Sequence, residues 1–547
     1  HRMFSGASNF NQDLSNWDVS NVTNMDFTFQ GASIFNGNIS NWNVSSVMVF
    51  KGMFLNAGNF NQDLSSWNVS NAGDMKDMFN NASSFDGNIS SWDVSNVTTM
   101  AGMFKGASSF NQDLSNWDVS NVNNMRYMFE NASSFNNTID TWDVSNVVTM
   151  EGMFKGATSF NQDLHNWNVS NVTIMNRLFF NASEFNGSIN TWDVSNVNDM
   201  GYMFARAENF NQDLSSWNVS SVTNMNQTFR WASNFNGDVS TWNMSSVTIT
   251  HGMFASCPNF NQDISNWDVS SVTDPHDMFS QATSFNQDIS NWDMSSATYT
   301  GGMFNQATSF NQNISSWDMS NVVAMQGMFR DAVAFNQDLS SWNVSNATNM
   351  NNMFNGTNAL SDGNKCSIHS SWFSNNAWTY EWSEFCYQFA TNEELQIAVN
   401  LWISDNSSAL SAYGEINTWD VSLITDMSNL FYNKTTFNSD ISNWNVSSVT
   451  NMSGMFKSAS IFDQDISQWN VSNVTNMSNM FAFATVFNQI ISSWDVSSVA
   501  DMSYLFDRAT NFNQNLNSWN VSNVADMSFM FSYATAFNKN ISQWNVS

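Results

Sequence analysis

Apolar positions return along this chain at a fixed interval. The segment MFSGASNFNQDLSNWDVSNVTNM, residues 3–25, recurs every 25 residues. Tryptophan marks the register, at Trp17, Trp42, Trp67, Trp92 and onward to Trp342 in fourteen copies, then from Trp419 to Trp544 in six more. Within one copy the apolar residues are Leu14, Trp17, Val19, Val22, Met25, Phe27, Phe29, Ala32 and Phe35. Trp17 and Val19 alternate with Asn16, Asp18 and Ser20, which predicts a strand with one buried face. From Val22 the spacing becomes three and four and predicts a short helical or 3₁₀ turn. Gly and Asn around the Phe-Asn pair predict a corner. One strand and one return per 25 residues make a solenoid rung, which buries its aromatic residues only when the next rung stacks on it. Phe10, Phe35, Phe60 and Phe85 and their equivalents are expected to form an internal stack. The Trp and Met columns read as core, not as a ligand box.

The step from Trp342 to Trp419 is 77 residues, so 77 − 25 = 52 have been inserted between two arrays. The expected organisation is a first array over 1–355, an insertion over 356–415 and a second array over 416–547. Cys366 and Cys386 lie in an aromatic stretch of the insertion, and a disulfide between them would contribute about 3 kcal/mol. The alternative is Cys366 with His369 as half of a zinc site, but no second Cys/His pair accompanies them. Thr391-Asn-Glu-Glu394 is a capping-box pattern. Leu395, Ala398, Val399 and Trp402 follow at helical spacing, which predicts an amphipathic helix covering the N-terminal end of the second array. Cys257 reads as a buried thiol.

Composition narrows the function. Only 11% of residues are charged, 15 Lys plus Arg against 46 Asp plus Glu, for a net charge of −31. A nucleic-acid partner needs cations to displace counterions, and this chain has few. No apolar run approaches the roughly 20 residues of a spanning helix. The 47 Phe and 25 Trp supply ample core, which argues against disorder. His1, His165, His251, His276 and His369 are scattered without ligand spacing. No nucleophile elbow or phosphate-binding glycine loop occurs. No catalytic residues, no metal ligands and no cofactor are expected. The residue after each Trp is Asp in ten copies (Asp18, Asp93, Asp118) and Asn in ten (Asn43, Asn68, Asn168). The exchange suggests a local polar role on a solvated acidic face; calcium bridging of stacked carboxylates is the alternative.

The run W-D-V-S-N-V-T-N-M, followed by M-F-x-G-A and F-N-Q-D-L, resembles the BspA-like surface-protein repeat, the DUF285 family, through both arrays. The resemblance implies an extracellular or cell-surface, leucine-rich-repeat-like solenoid of β/α rungs with adhesive or structural duties. It brings no catalytic residues.

Thirty N-x-S/T sequons run through the chain. One set follows the Trp column: Asn43, Asn68, Asn168, Asn218, Asn343, Asn445, Asn470 and Asn520. Asn81, Asn131 and Asn181 are spaced by 50, as are Asn38 and Asn88, with Asn136 and Asn186 in the same corner. A two-rung period would space glycans by about 9.6 Å instead of 4.8 Å; duplication of 50-residue pairs gives the same spacing. The chain opens at His1 without an initiator Met or signal peptide and reads as a processed or truncated product. Ser547 stands at the register of Ser20, and His1 at that of Asp26 in the preceding rung. The expected partner is therefore another copy stacked head-to-tail, or a longer covalent repeat chain. The expected function is a non-enzymatic cell-surface coat or glycosylated fibre. A surface adhesin for host protein or polysaccharide is the alternative, and an ice-binding solenoid a distant third.

Overall fold

A computed structural model describes residues 1–546. The chain forms two compact units, one of residues 1–337, 342–360 and 375–379, the other of residues 338–341, 361–374 and 380–547. Within each unit the 25-residue segments stack in parallel. Single-residue bridges join Asn24 to Val49, Val49 to Asp74 and Asp74 to Thr99, and the series continues at the same interval in both units except for the step from Asp274 to Tyr299.

The bonding that follows each bridge explains the rung. Met25 N donates to Val49 O (2.9 Å), Phe27 N to Lys51 O (2.8 Å), Phe29 N to Met53 O (2.8 Å) and Gly31 N to Leu55 O (2.7 Å). The amides between them close local turns instead, Thr28 N to Met25 O and Gln30 N to Phe27 O. Left-handed residues turn the peptide planes so that alternate amides project along the stack: Phe27 (φ 51°) and Gly31 (φ 68°), then Gly52 and Asn56, then Asp77 and Asn81. Left-handed backbone suits Gly and Asn, which recur at these positions.

Two expectations are corrected here. Residues around Trp17 and Val19 form turns, not a strand, with Trp17 N donating to Leu14 O and Val22 N to Val19 O. The segment after Val22 is a bridge and a chain of turns, because a left-handed residue every fourth position stops a helix. Among the described residues helices occur only between 362 and 418, so the rungs are not β/α units.

The aromatic columns are buried. Trp167 is 2% exposed and Phe160 and Phe179 are 0% exposed. Successive Trp rings stack with centroids 6.2 Å apart at Trp167–Trp192 and 6.5 Å at Trp117–Trp142. Two Phe columns run beside them, 5.5 Å apart at Phe154–Phe179 and 5.9 Å at Phe160–Phe185. A buried indole must place its N–H. Trp167 Nε1 donates to Ile139 O and Trp192 Nε1 to Leu164 O, each at 2.9 Å and each one rung back. The corner is an asparagine ladder, with Asn161 N donating to Asn136 Oδ1 (2.9 Å) and Asn186 N to Asn161 Oδ1 (2.8 Å).

In the second unit, α1 (Asp362–Trp372), α2 (Asn392–Ser404) and α3 (Asn406–Tyr413) precede the rungs. Thr391 Oγ1 accepts from Glu394 N at 3.2 Å, and the Glu394 carboxylate accepts from Ala390 N at 3.0 Å. Leu395, Ala398 and Val399 bury against Ile416, Trp419 and Phe431. Trp419 has no rung before it, and its Nε1 donates to Gly414 O (3.1 Å). Trp402 meets Trp419 edge-on at 5.9 Å and donates to Ser439 Oγ at 2.9 Å. The α1 helix lacks an apolar stripe in sequence; Cys366, Ile368 and Trp372 are its buried apolar residues.

Candidate functional site

Cys366 and Cys386 are bonded, with sulfurs 2.05 Å apart. That bond removes the Cys366 thiolate from any zinc site with His369. Cys257 is buried, its thiol donates to Phe229 O at 2.9 Å, and burial pushes its pKa far above the ordinary value. Thr357 Oγ1 makes the same bond at the same register, to Phe329 O at 2.7 Å.

The Asp/Asn column after Trp has a backbone task. Asp18 Oδ1 accepts from Ser20 N at 3.0 Å, and Asn168 Oδ1 accepts from Ser170 N (3.2 Å) and Ser170 Oγ (2.7 Å). Either side chain closes this turn, which accounts for the exchange. The Ser120 hydroxyl and amide hold the Asp118 carboxyl below its usual range. Among the described residues no three of these carboxylates converge on one point.

Of the candidate glycan acceptors, Asn181 is half-buried; Asn38, Asn81, Asn88, Asn131, Asn136, Asn186 and the eight that follow Trp are exposed. Their amides are not equally free. Asn81 and Asn131 sit at left-handed positions (φ 57° each) and lie over the glycine of the next rung. A Cβ at Gly106 would stand 2.2 Å from Asn81 Oδ1, and one at Gly156 2.2 Å from Asn131 Oδ1. The glycines at 106 and 156 leave room for Asn81 and Asn131, but Asn56 precedes Asn81 and Arg206 follows Asn181, so side chains also stand on consecutive rungs in this column.

The histidines hold a feature that has no signature within a single repeat. His251 and His276 are separated by one repeat length, so they occupy the same position on consecutive rungs. Their rings stack with centroids 3.4 Å apart and planes inclined by 24°. Asp274 lies two residues before His276 on the extended segment, and His276 Nδ1 is 2.5 Å from Asp274 Oδ1. One ligand atom from each of the three comes within 4.8 Å of the others, and all three residues are half-buried. Burial and the neighbouring His276 lower the His251 pKa, while the hydrogen bond that His276 donates to Asp274 raises that of His276. Burial alone would raise Asp274, yet His276 brings it below the carboxylate range. A ligand search along sequence tests spacings within one helix or loop; here the informative spacing was the repeat itself. His165 lies 3.5 Å from Asp140 and His1 3.2 Å from Asp26, each as an isolated pair.

The surroundings of this cluster are irregular. The position before each His is Met from Met75 to Met225 and again at Met325 and Met350, but Thr250, Pro275 and Thr300 break that column. Pro275 has no N–H, and the bridge series skips the step from Asp274 to Tyr299. The buried atoms Asn226 Oδ1, Arg230 Nε, Thr250 Oγ1, Thr300 Oγ1 and Asn305 Oδ1 have no hydrogen-bond partner. Beside His276, the side chains of Gly301, Gly302 and Gly327 are absent, which opens a depression rimmed by Asp277, Gln326 and Arg330.

Comparisons with known proteins bear on the repeat. Solved structures with similarity include one titled "Crystal structure of TLR13-ssRNA13 complex", 9% identical over 96% of this chain and 87% of that chain, with a TM-score of 0.17. No curated relative matches the sequence. Among the described residues no helix is long and apolar enough to cross a membrane. The family model described as "Mycoplasma protein of unknown function, DUF285" matches residues 1–87, 63–167, 152–266, 228–330, 249–365, 402–493 and 468–547. Those seven matches leave little of either array outside them, and the chain belongs to the DUF285 repeat family.

Proposed function

We propose that this chain is a non-enzymatic extracellular structural protein, a leucine-rich-repeat-like solenoid of the BspA-like kind that builds a cell-surface coat or glycosylated fibre. One observation carries the reading: its polar side chains are committed to holding rung on rung. Asn corners and, from the second Trp of each array onward, indole N–H groups repeat the same rung-to-rung bonds through both arrays, while Asx turns close each rung on itself. A molecule so built resists extension along its stacking direction, because backbone and side-chain bonds both run that way. Self-association with further copies and N-linked glycans belong to the same proposal. Within the sequons, the set after Trp is the better acceptor, since Asn168 uses only its Oδ1 in the turn, whereas Asn81 Nδ2 donates to Asn56 Oδ1 at 2.9 Å.

The adhesin reading draws on a different observation. In an acidic chain, basic and aromatic side chains gather on the ribbon after the bridges: Arg177 over Tyr202 at 4.9 Å, and Arg206 and Arg230 over Trp231 at 4.3 and 4.1 Å. Electron microscopy of native material, with glycopeptide mapping, separates the two. Regular filaments or a lattice support the structural role. Dispersed particles that capture a polysaccharide or protein, with binding lost in Trp231→Ala, would replace it with the adhesin.

A further inference from the structure

We propose that His251, Asp274 and His276 form a binding site for a divalent first-row transition metal, zinc first among them. Two imidazoles and a carboxylate are the donor set such ions take, and zinc accepts three protein ligands with a fourth position left open. The repeat supplies the convergence. Two histidines in one column project from adjacent rungs, and Asp274 stands on the same side of the extended segment as His276.

The geometry is close to that required and states what must move. A tetrahedral zinc with bonds of about 2.0–2.1 Å separates its ligand atoms by about 3.4 Å. The candidate atoms lie within 4.8 Å of one another, and His276 Nδ1 and Asp274 Oδ1 are already at 2.5 Å. An imidazole binds a metal in its ring plane, so the stacked rings must turn out of their 24° face-to-face arrangement. Gly301 follows His276 in the column and places no side chain against its ring; the Gln326 amide, which lies over Gly301, is the flexible group that must shift as the ring turns. The same depression would admit water or a further ligand to the open position. Asp277 and Arg230 are the further charges that both imidazoles sense, and they are opposite in sign.

The irregularities converge on this spot. Thr250 buries a hydroxyl without a partner and Pro275 forgoes an inter-rung bond in the two rungs that hold the cluster, and Thr300 buries another such hydroxyl in the rung that follows. Apart from Phe50, the column is otherwise Met in this unit, and the ladder is continuous across the neighbouring rungs. Rung stacking does not require these residues.

The test uses the full chain stripped with a chelator, then titrated with Zn²⁺ against a chromophoric competitor and, separately, with Co²⁺. Asparagine already occupies this column at Asn176 and Asn226, so His251→Asn and His276→Asn should fold. Near-UV circular dichroism of the Trp stack checks that. One equivalent of Zn²⁺ is expected, with affinity falling at least tenfold in each variant and in Asp274→Asn. Co²⁺ should give the intense visible bands of a tetrahedral site in the parent chain only. His165→Ala should leave both unchanged. No stoichiometric binding, or binding that survives both histidine variants with the Trp signal intact, would overturn the site.

Discussion

Two stretches of the first unit depart from the repeat in opposite ways. Around residues 105–155 the chain inserts charges, and each finds a partner across the rungs: Glu130 lies 2.7 Å from both Lys105 and Lys155, and Arg126 lies 2.6 Å from Glu151. Tyr127 donates to the same Glu151. Around residues 250–300 the departures leave groups alone, as with the buried hydroxyls of Thr250 and Thr300 and the missing amide of Pro275. Yet the aromatic columns pass through both without change. Trp242–Trp267 and Trp267–Trp292 stack at 6.2 and 6.4 Å, and Phe254–Phe279 at 5.8 Å. Stability therefore resides in the aromatic columns, and the ribbon face is free to vary. Where variation on that face leaves buried groups unpaired, packing does not account for it.

The largest effect should come from the columns themselves. Trp167→Ala removes a buried indole and should cost its rung about 3–5 kcal/mol of local stability, and Trp267→Ala in the irregular stretch should cost the same. Hydrogen exchange of the adjoining rung amides measures both. A loss under about 1 kcal/mol at Trp267 would mean that residues 250–300 are held by something other than the columns.

Next in size is the clamp in the first stretch. Glu130→Ala leaves two lysines without their shared acceptor and should cost about 1–3 kcal/mol. Burial would raise the Glu130 carboxyl, but hydrogen bonds from Lys105 and Lys155 bring it below its ordinary value. Its folded pKa being depressed, its contribution is present above the unfolded value and is lost as pH falls through the folded one. Acid titration of local exchange should thus show a decline below about pH 4.5 that Glu130→Gln abolishes. An unchanged profile in that variant would show that the lysines do not hold it.

These contrasts also explain what could be read in advance. The Trp and Phe columns were legible because a 25-residue period with fixed aromatics has few other interpretations. The helix after Thr391 was legible from its cap and from Leu395, Ala398 and Val399. The strand was misplaced because Trp17 and Val19 alternate with polar residues for a different reason: tight turns, not extended chain, point them inward. The ribbon after Met25 went unanticipated because neither the 3.6 nor the 2.0 period describes alternating right- and left-handed residues. Its signature was nonetheless present, as Gly31, Gly52, Asn56 and Asn81 recur where φ is positive. The His251–His276 pair was missed because their separation means nothing until rungs are stacked in register.

A gain in stability is expected from the irregular stretch. Thr300→Val keeps the shape of the side chain and deletes a buried hydroxyl that has no partner. Stability of that rung should rise by about 1 kcal/mol, read as a higher urea midpoint for exchange of the Thr300 and Ala324 amides. No gain, or a loss, would show that the hydroxyl is satisfied in solution by ordered water, and the contrast with residues 105–155 would shrink accordingly.

The smallest effect tests whether the two stretches share one surface rule. Asn168 in the regular part and Asp268 in the irregular part occupy the same position after Trp. Asn168 Oδ1 accepts from Ser170 N at 3.2 Å and Ser170 Oγ at 2.7 Å, and Asp268 Oδ1 from Ser270 N at 3.1 Å and Ser270 Oγ at 2.6 Å. Because the turn needs only an oxygen acceptor, Asn168→Asp and Asp268→Asn should each fall within about 0.5 kcal/mol of neutral at pH 7. They should differ in acid. The Ser270 hydroxyl and amide depress the Asp268 carboxyl, so its ionised form favours the folded rung above its unfolded pKa and that preference is lost as pH falls through the folded one. Asp268→Asn should flatten this dependence below about pH 4 and Asn168→Asp should create it, both read by exchange of the serine amide two residues on. A loss well above 0.5 kcal/mol for Asp268→Asn alone at pH 7 would mean that the carboxylate serves a partner beyond its own turn. The irregular face would then extend past His251, Asp274 and His276.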